Sequence, residues 1–267
     1  NSNAAERLLK EYLENYPHGI YFISATYYLG ELYYEKQDFK NGQIAYSELI
    51  KGPVNIYTEK ALVRLISLYK IQSKLDQALP YLEKLDSIAS LQENKRFAIL
   101  NLMHAYYLNA DYFKTLTFTD RVLKLSNLES SLQWDALTLK AKSAMATNDS
   151  ITAANTYKQL ESAPQSNIVA EALYFSAFQL NKEKQYEQSN KLIGKIAQLG
   201  SATGIWNVKA LLLLAKNYFE LNDGFQAIFV LESIIENFDS YPDEIAAAEK
   251  LLVKYNSIEK DAANEVK

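Results

Sequence analysis

The sequence has no cysteine, which excludes disulfide scaffolds, thiolate metal sites and cysteine nucleophiles. Its 2 histidines, His18 and His104, are too few for a histidine-rich metal site. Glycine and proline are scarce, at 8 and 5 of 267 residues. A β-sandwich or barrel needs a turn-former every ~8–12 residues, so the all-β classes are disfavoured. Long apolar runs are missing too. The longest, Ala210–Ala215, falls far short of the roughly 20 residues of a membrane span. Positive charge is not in excess: 28 Lys+Arg against 32 Asp+Glu leave a net charge of −4, which speaks against general nucleic-acid binding. Tyrosine, by contrast, is abundant, with 20 copies, 14 of them before Phe113. At 48% apolar and 22% charged residues, the composition is that of a chain able to bury a core.

A polar turn followed by a small residue recurs along the chain. It reads Gln37-Asp38-Phe39-Lys40-Asn41-Gly42, and returns at Ser73–Ala78, Ala110–Thr115, Asn148–Ala153, Lys184–Ser189 and Asn222–Ala227. The small residues at 42, 78, 115, 153, 189 and 227 are 36, 37, 38, 36 and 38 apart, a mean of 37. Helical periodicity flanks the turn: Leu29, Leu32 and Tyr33 before it, Ala45, Tyr46, Leu49 and Ile50 after it. Each repeat therefore reads helix, tight turn, helix. Gly30 is expected to face the small residue at 42, bringing the two helices close. Pro80 falls about a turn inside the second helix of its repeat and is expected to bend it.

These positions resemble the tetratricopeptide repeat, which sets Trp, Leu, Gly and Tyr on one helix and Ala, Phe and Pro on the next. The first repeat matches best, with Leu29, Gly30, Tyr33, Gly42 and Tyr46. The sixth supplies Leu214, Tyr218, Ala227 and Leu231. The family Trp is absent from its usual place, and the repeats exceed the usual length. The resemblance implies an all-α fold, a right-handed α-solenoid. Its helix pairs are expected at 21–55, 56–91, 92–128, 130–165, 167–201 and 204–239. Residues 3–17 match the second helix of a truncated repeat, with Asn3 and Glu6 as a capping box. Residues 242–258 are expected to form a capping helix, with a frayed tail from Lys260.

Few residues suggest catalysis. No glycine-rich phosphate loop and no His-Glu-x-x-His is present, and no cofactor or metal is expected. An enzyme or small-ligand receptor would need convergent polar groups in a deep pocket, for which His104 with Asn101 is the one seed. In the tetratricopeptide family, first-helix positions line a concave groove. Carried over, they give Tyr27 and Tyr34, Lys60 and Arg64, Asn101, His104 and Tyr107, Lys142, and Tyr174 with Phe178. Lys209, Leu212 and Lys216 follow in the sixth repeat. The family's clamp for a C-terminal carboxylate is incomplete, because Tyr28 stands where Asn is needed. The groove's mixture of aromatic and basic groups suits a peptide with acidic and apolar residues. The tyrosine distribution places the aromatic surface in the first three repeats.

The stretch from Asn15 to Pro53, with Tyr16-Pro17-His18-Gly19 and Tyr28–Tyr34, is similar to repeats of bacterial cell-envelope proteins. These include the outer-membrane assembly lipoprotein and the Tol–Pal coordinator. Ala210–Asn237 is similar to the last repeats of long proteins from Bacteroidetes. The resemblance implies a non-catalytic scaffold for a protein or peptide partner, in the periplasm or at the outer membrane. The alternative is a structural module that self-assembles, with end-to-end homodimers.

Overall fold

In the computed structural model, residues 2–265 are described, and among them every regular element is helical. After α1 (Ser2–Asn15) come α2 (Phe22–Glu35) with α3 (Phe39–Lys51), and α4 (Thr58–Ile71) with α5 (Leu79–Ile88). Then follow α6 (Gln92–Leu108) with α7 (Tyr112–Leu123), and α8 (Ser130–Ala146) with α9 (Ser150–Leu160). The series ends with α10 (Ser166–Lys182) and α11 (Tyr186–Gln198), α12 (Ile205–Glu220) and α13 (Gly224–Asn237), and α14 (Pro242–Glu265). This is an all-α solenoid of helical repeats. Its contacts divide into two compact units, residues 1–139 and 140–267, with the boundary inside α8.

One turn geometry joins the helices of every pair. Gln37, Ser73, Ala110, Asn148, Lys184 and Asn222 all adopt left-handed backbone, at φ between 56° and 60°. They fall 36, 37, 38, 36 and 38 residues apart, always five before the recurring small residue. The amide of the following residue reaches back to the carbonyl five residues earlier, as in Asp38 N to Tyr33 O at 2.9 Å and Asp149 N to Ala144 O at 2.8 Å. The left-handed residue itself donates to the carbonyl three back, as Gln37 does to Tyr34 at 3.1 Å. These two bonds satisfy carbonyls left over at the end of the first helix. In four repeats the next residue is Asp, whose carboxylate caps the second helix. Asp38 accepts from the Asn41 amide, Asp111 from Lys114, Asp149 from Thr152 and Asp223 from Gln226. One short polar segment thus closes one helix and opens the next.

The second repeat lacks this cap and departs from expectation. Leu75–Ala78 form a 3-10 turn, and α5 starts only at Leu79. Pro80 therefore lies in the first turn of α5, where its missing N–H has no helical partner to lose, and it bends no helix.

The small residue is buried in every repeat: Gly42, Ala78, Thr115, Ala153, Ser189 and Ala227. Gly30 does not face Gly42. A Cβ on Gly30 would stand 2.7 Å from Cε1 of Tyr46, whereas one on Gly42 would meet Leu68 and Tyr33. The fully buried Tyr46 ring fills the place expected for the small residue.

In the first unit, Leu62, Leu65, Ile66, Leu82, Leu85, Leu102 and Met103 form the centre of one core. Leu9 and Leu13 of α1 pack on Leu29, Tyr33 and Ala45. Asn3 lies inside α1 instead of capping it, and its Oδ1 accepts from Lys36 Nζ at 2.8 Å. In the second unit, Ile193, Ile196 and Leu213 join α10, α11 and α12. Leu231, Ile234, Ala248 and Tyr255 join α13 to α14, and Tyr255 stacks on Phe219 of α12 at 3.7 Å. The capping helix α14 continues past the expected end at 258 to Glu265, and residues 266–267 of the tail lie outside the described residues.

Candidate functional site

In the first unit, most of the expected groove residues are engaged with their neighbours. Tyr27 is buried, stacked on Tyr57 at 4.7 Å and edge-on to Tyr28 at 5.6 Å. Arg64 donates twice to Glu31, at 2.9 Å each, and lies over the Tyr34 ring at 4.5 Å. Tyr46 donates its hydroxyl to the same carboxylate at 2.5 Å. Burial pushes the Glu31 carboxyl up, but the bonds from Arg64 and Tyr46 outweigh it and hold it below its ordinary value. Burial and the adjoining Glu31 carboxylate push the Tyr46 phenol well up. Lys60 is exposed. Tyr107 is half-buried, edge-on to Tyr112 at 5.8 Å.

The seed for a polar pocket does not converge. Asn101 is buried, not at a surface, and its Nδ2 donates to the Phe97 carbonyl of its own helix at 2.7 Å. A buried amide needs such a partner. His104 Nε2 instead meets Asp135 Oδ2 at 2.9 Å.

In the second unit the expected residues do come together. Tyr174 and Phe178, one turn apart on α10, lie with ring centroids 6.3 Å apart and 17° between planes. Trp206, in the first turn of α12, approaches Tyr174 at 5.5 Å. These three rings are shared by two adjoining hollows. One, of about 420 Å³, is also walled by Lys142, Met145, Tyr157, Glu171 and Phe175. The other, of about 440 Å³, extends along Asn181, Lys209, Leu212, Leu213 and Lys216 to Asp243, Glu244 and Ala247 of α14. An aromatic cleft is thus formed in the fifth and sixth repeats, whereas Tyr33, Tyr46 and Tyr106 of the first three are core residues.

The polar wall of the first hollow is internally satisfied. Glu171 is 8% exposed, yet its carboxylate pairs with Lys142 Nζ at 3.2 Å and accepts from the Tyr157 hydroxyl at 3.1 Å. Burial pushes the Tyr174 phenol up. Lys182 lies over the Phe178 ring at 4.6 Å, and Lys209 over Trp206 at 5.0 Å. Behind the cleft, Asn181 donates to Asn217 at 2.6 Å, and buried Asn217 donates to Ser189 at 2.8 Å. This network ties α10, α11 and α12 together, so the rings stand on a fixed base.

Trp206 was not foreseen, because the family positions begin one turn later, at Lys209. A signal was present: it is one of 2 tryptophans, two residues after Gly204. Gly204 caps α12 at φ 55°, ψ −131°, a conformation reserved essentially for glycine, and so directs the chain into α12. Among the described residues, no group of three or more His, Asp and Glu side chains is placed to hold a metal ion. No helix there is long and apolar enough to cross a membrane.

Neither a protein-family model nor a curated protein matches the chain. Solved structures similar to it include a tetratricopeptide repeat protein from Parabacteroides merdae ATCC 43184, at 15% identity and TM-score 0.44, covering 93% of this chain and 92% of that one. Another is the APC/C hetero-tetramer Cut9-Hcn1, at 13% identity and TM-score 0.44, covering 93% and 46%. A third is the TPR domain of P58(IPK), at 13% identity and TM-score 0.35, covering 95% and 89%.

Proposed function

We propose that this chain is a tetratricopeptide-like, non-catalytic scaffold that receives a segment of a partner protein in the cleft of its second unit. The observation that carries this reading is the Tyr174–Phe178–Trp206 cluster, whose rings line two adjoining hollows. Rings on rigid helices supply contact area at small entropic cost, which suits an apolar anchor from a partner. The repeat resemblance supports the scaffold role, and the similarity of Asn15–Pro53 to cell-envelope repeats supports a place in the periplasm or at the outer membrane.

Selection from a random peptide library tests the reading. Peptides that bind the wild-type chain are expected to lose at least about tenfold in affinity on Phe178→Ala or Trp206→Ala, with helicity unchanged. Ligands indifferent to both substitutions would place binding elsewhere. A second reading, end-to-end self-association, is favoured by α1, which has no buried residue and leaves Leu8 57% exposed. Light scattering at rising concentration checks it: a constant monomer mass removes it.

A further inference from the structure

We infer that the first unit rests one edge on a lipid bilayer, through the loops that precede α2 and α4. The inference uses residues of the first unit alone and does not depend on the reading of the cleft. Ile20 stands two residues before α2 and Ile56 two residues before α4. They are 36 residues apart, the interval that also separates the left-handed Gln37 and Ser73. The two are thus equivalent positions of successive repeats. They are also the most exposed large apolar side chains among the described residues, at 88% and 83%. Val54, on the second loop, and Tyr16, Tyr21 and Tyr28 are exposed beside them. Single exposed apolar residues are ordinary, but a contiguous set marks an interaction surface.

The fold holds these tips outward. The Tyr12 hydroxyl accepts from the Tyr21 amide at 3.2 Å. The Asn55 side-chain oxygen accepts from the Tyr57 amide, and the Asn55 amide donates to the Thr58 hydroxyl, both at 2.9 Å. Tyr57 then stacks on Tyr27 at 4.7 Å. Both loops line one hollow of about 590 Å³, with Phe22, Ile23 and Leu49 in its wall, so they share one edge.

The order of side chains follows that of a bilayer interface. Aliphatic groups form the tips, and Tyr21 and Tyr57 follow one residue later, at the starts of the helices. Aliphatic groups enter the acyl boundary and tyrosine rings sit at the headgroup level. No Asp, Glu, Lys or Arg occurs from Asn15 to Gly30 or from Gly52 to Thr58. A protein interface surrounds its apolar core with a polar, hydrogen-bonding rim, and these loops carry no charged side chain to build one. The charges that bound the two segments are Glu14, Glu31, Lys51 and Glu59. They hold no excess of positive charge to draw anionic lipid, so zwitterionic lipid suffices.

Flotation with phosphatidylcholine vesicles, with and without phosphatidylglycerol, tests this. The wild-type chain is expected to float with both, and added salt should not release it. The Ile20→Ser, Ile56→Ser variant should partition at least about tenfold more weakly, with its circular dichroism spectrum unchanged. Ile151→Ser, at a position 77% exposed on α9, should partition as wild type does.

A wild-type chain that stays in the aqueous fraction overturns the inference. So does flotation only with phosphatidylglycerol, or a loss in Ile151→Ser as large as in the double variant. If light scattering shows the double variant to have a lower mass than wild type in solution, a second copy of the chain covers this edge in place of lipid.

Discussion

Gly30→Ala should destabilise the protein although it improves helix propensity. Gly30 lies inside α2, where the exchange alone would stabilise by up to about 1 kcal/mol. The new Cβ, however, would lie 2.7, 3.0 and 3.1 Å from Cε1, Cδ1 and Cζ of Tyr46. Carbon atoms settle at roughly 3.5–4.0 Å, so three ring atoms are overlapped. Tyr46 has little room to give way. It is fully buried, and its hydroxyl is held by Glu31, which Arg64 holds in turn. Overpacking of this kind costs about 1–3 kcal/mol, leaving a net loss of about 1 kcal/mol. The control is Gly194→Ala inside α11, where a Cβ would meet nothing within 4 Å. There the propensity gain of about 1 kcal/mol stands alone. The same exchange at two helical glycines should therefore differ by about 2 kcal/mol. Urea unfolding followed by far-UV circular dichroism reads both. In the double variant with Tyr46→Leu, the Gly30→Ala loss should shrink, a coupling expected of residues in contact. A Gly30→Ala midpoint at or above wild type would refute the reasoning, as would a Gly194→Ala midpoint below it.

Two further outcomes follow from the turns and the ion pairs. Ala110 holds φ 56° at the end of α6, a conformation costing an L-residue about 1–2 kcal/mol. Ala110→Gly should raise the urea midpoint, by about 0.5–1 kcal/mol once the extra chain entropy of glycine is subtracted; a lowered midpoint contradicts it. Glu31 has a folded-state pKa depressed below its ordinary 4.5. Its contribution is therefore fully present above the unfolded value and is lost as pH falls through the folded one. Glu31→Gln should be less stable than wild type at neutral pH, and the two should converge on acidification. Parallel pH profiles would show that the Arg64 and Tyr46 bonds do not set this carboxylate.

The helix order and the turns were legible because they are local. An αL residue followed by a capping Asp closes one helix and opens the next with bonds spanning three to five residues, so each copy carries its own instruction. The interval of about 37 was read from the small residues, and the left-handed positions repeat it to the residue. Pro80 was misread because a 3-10 turn and a helical turn share nearly the same local sequence. The partner of Gly30 was misread because periodicity gives a face, not the side chain opposite.

The sequence by itself determined the all-α repeat architecture and the turn positions, since these depend on spacing and backbone preference. Only the tertiary structure decided where the residues of the first helices stand and what they touch. It turned Arg64 onto Glu31, buried Asn101 and Tyr27, and brought Trp206 against Tyr174 and Phe178. Whether an aromatic or charged residue is consumed by its own fold or left uncovered depends on what lies opposite it on a neighbouring helix roughly 30 residues away, and one-dimensional spacing does not record that.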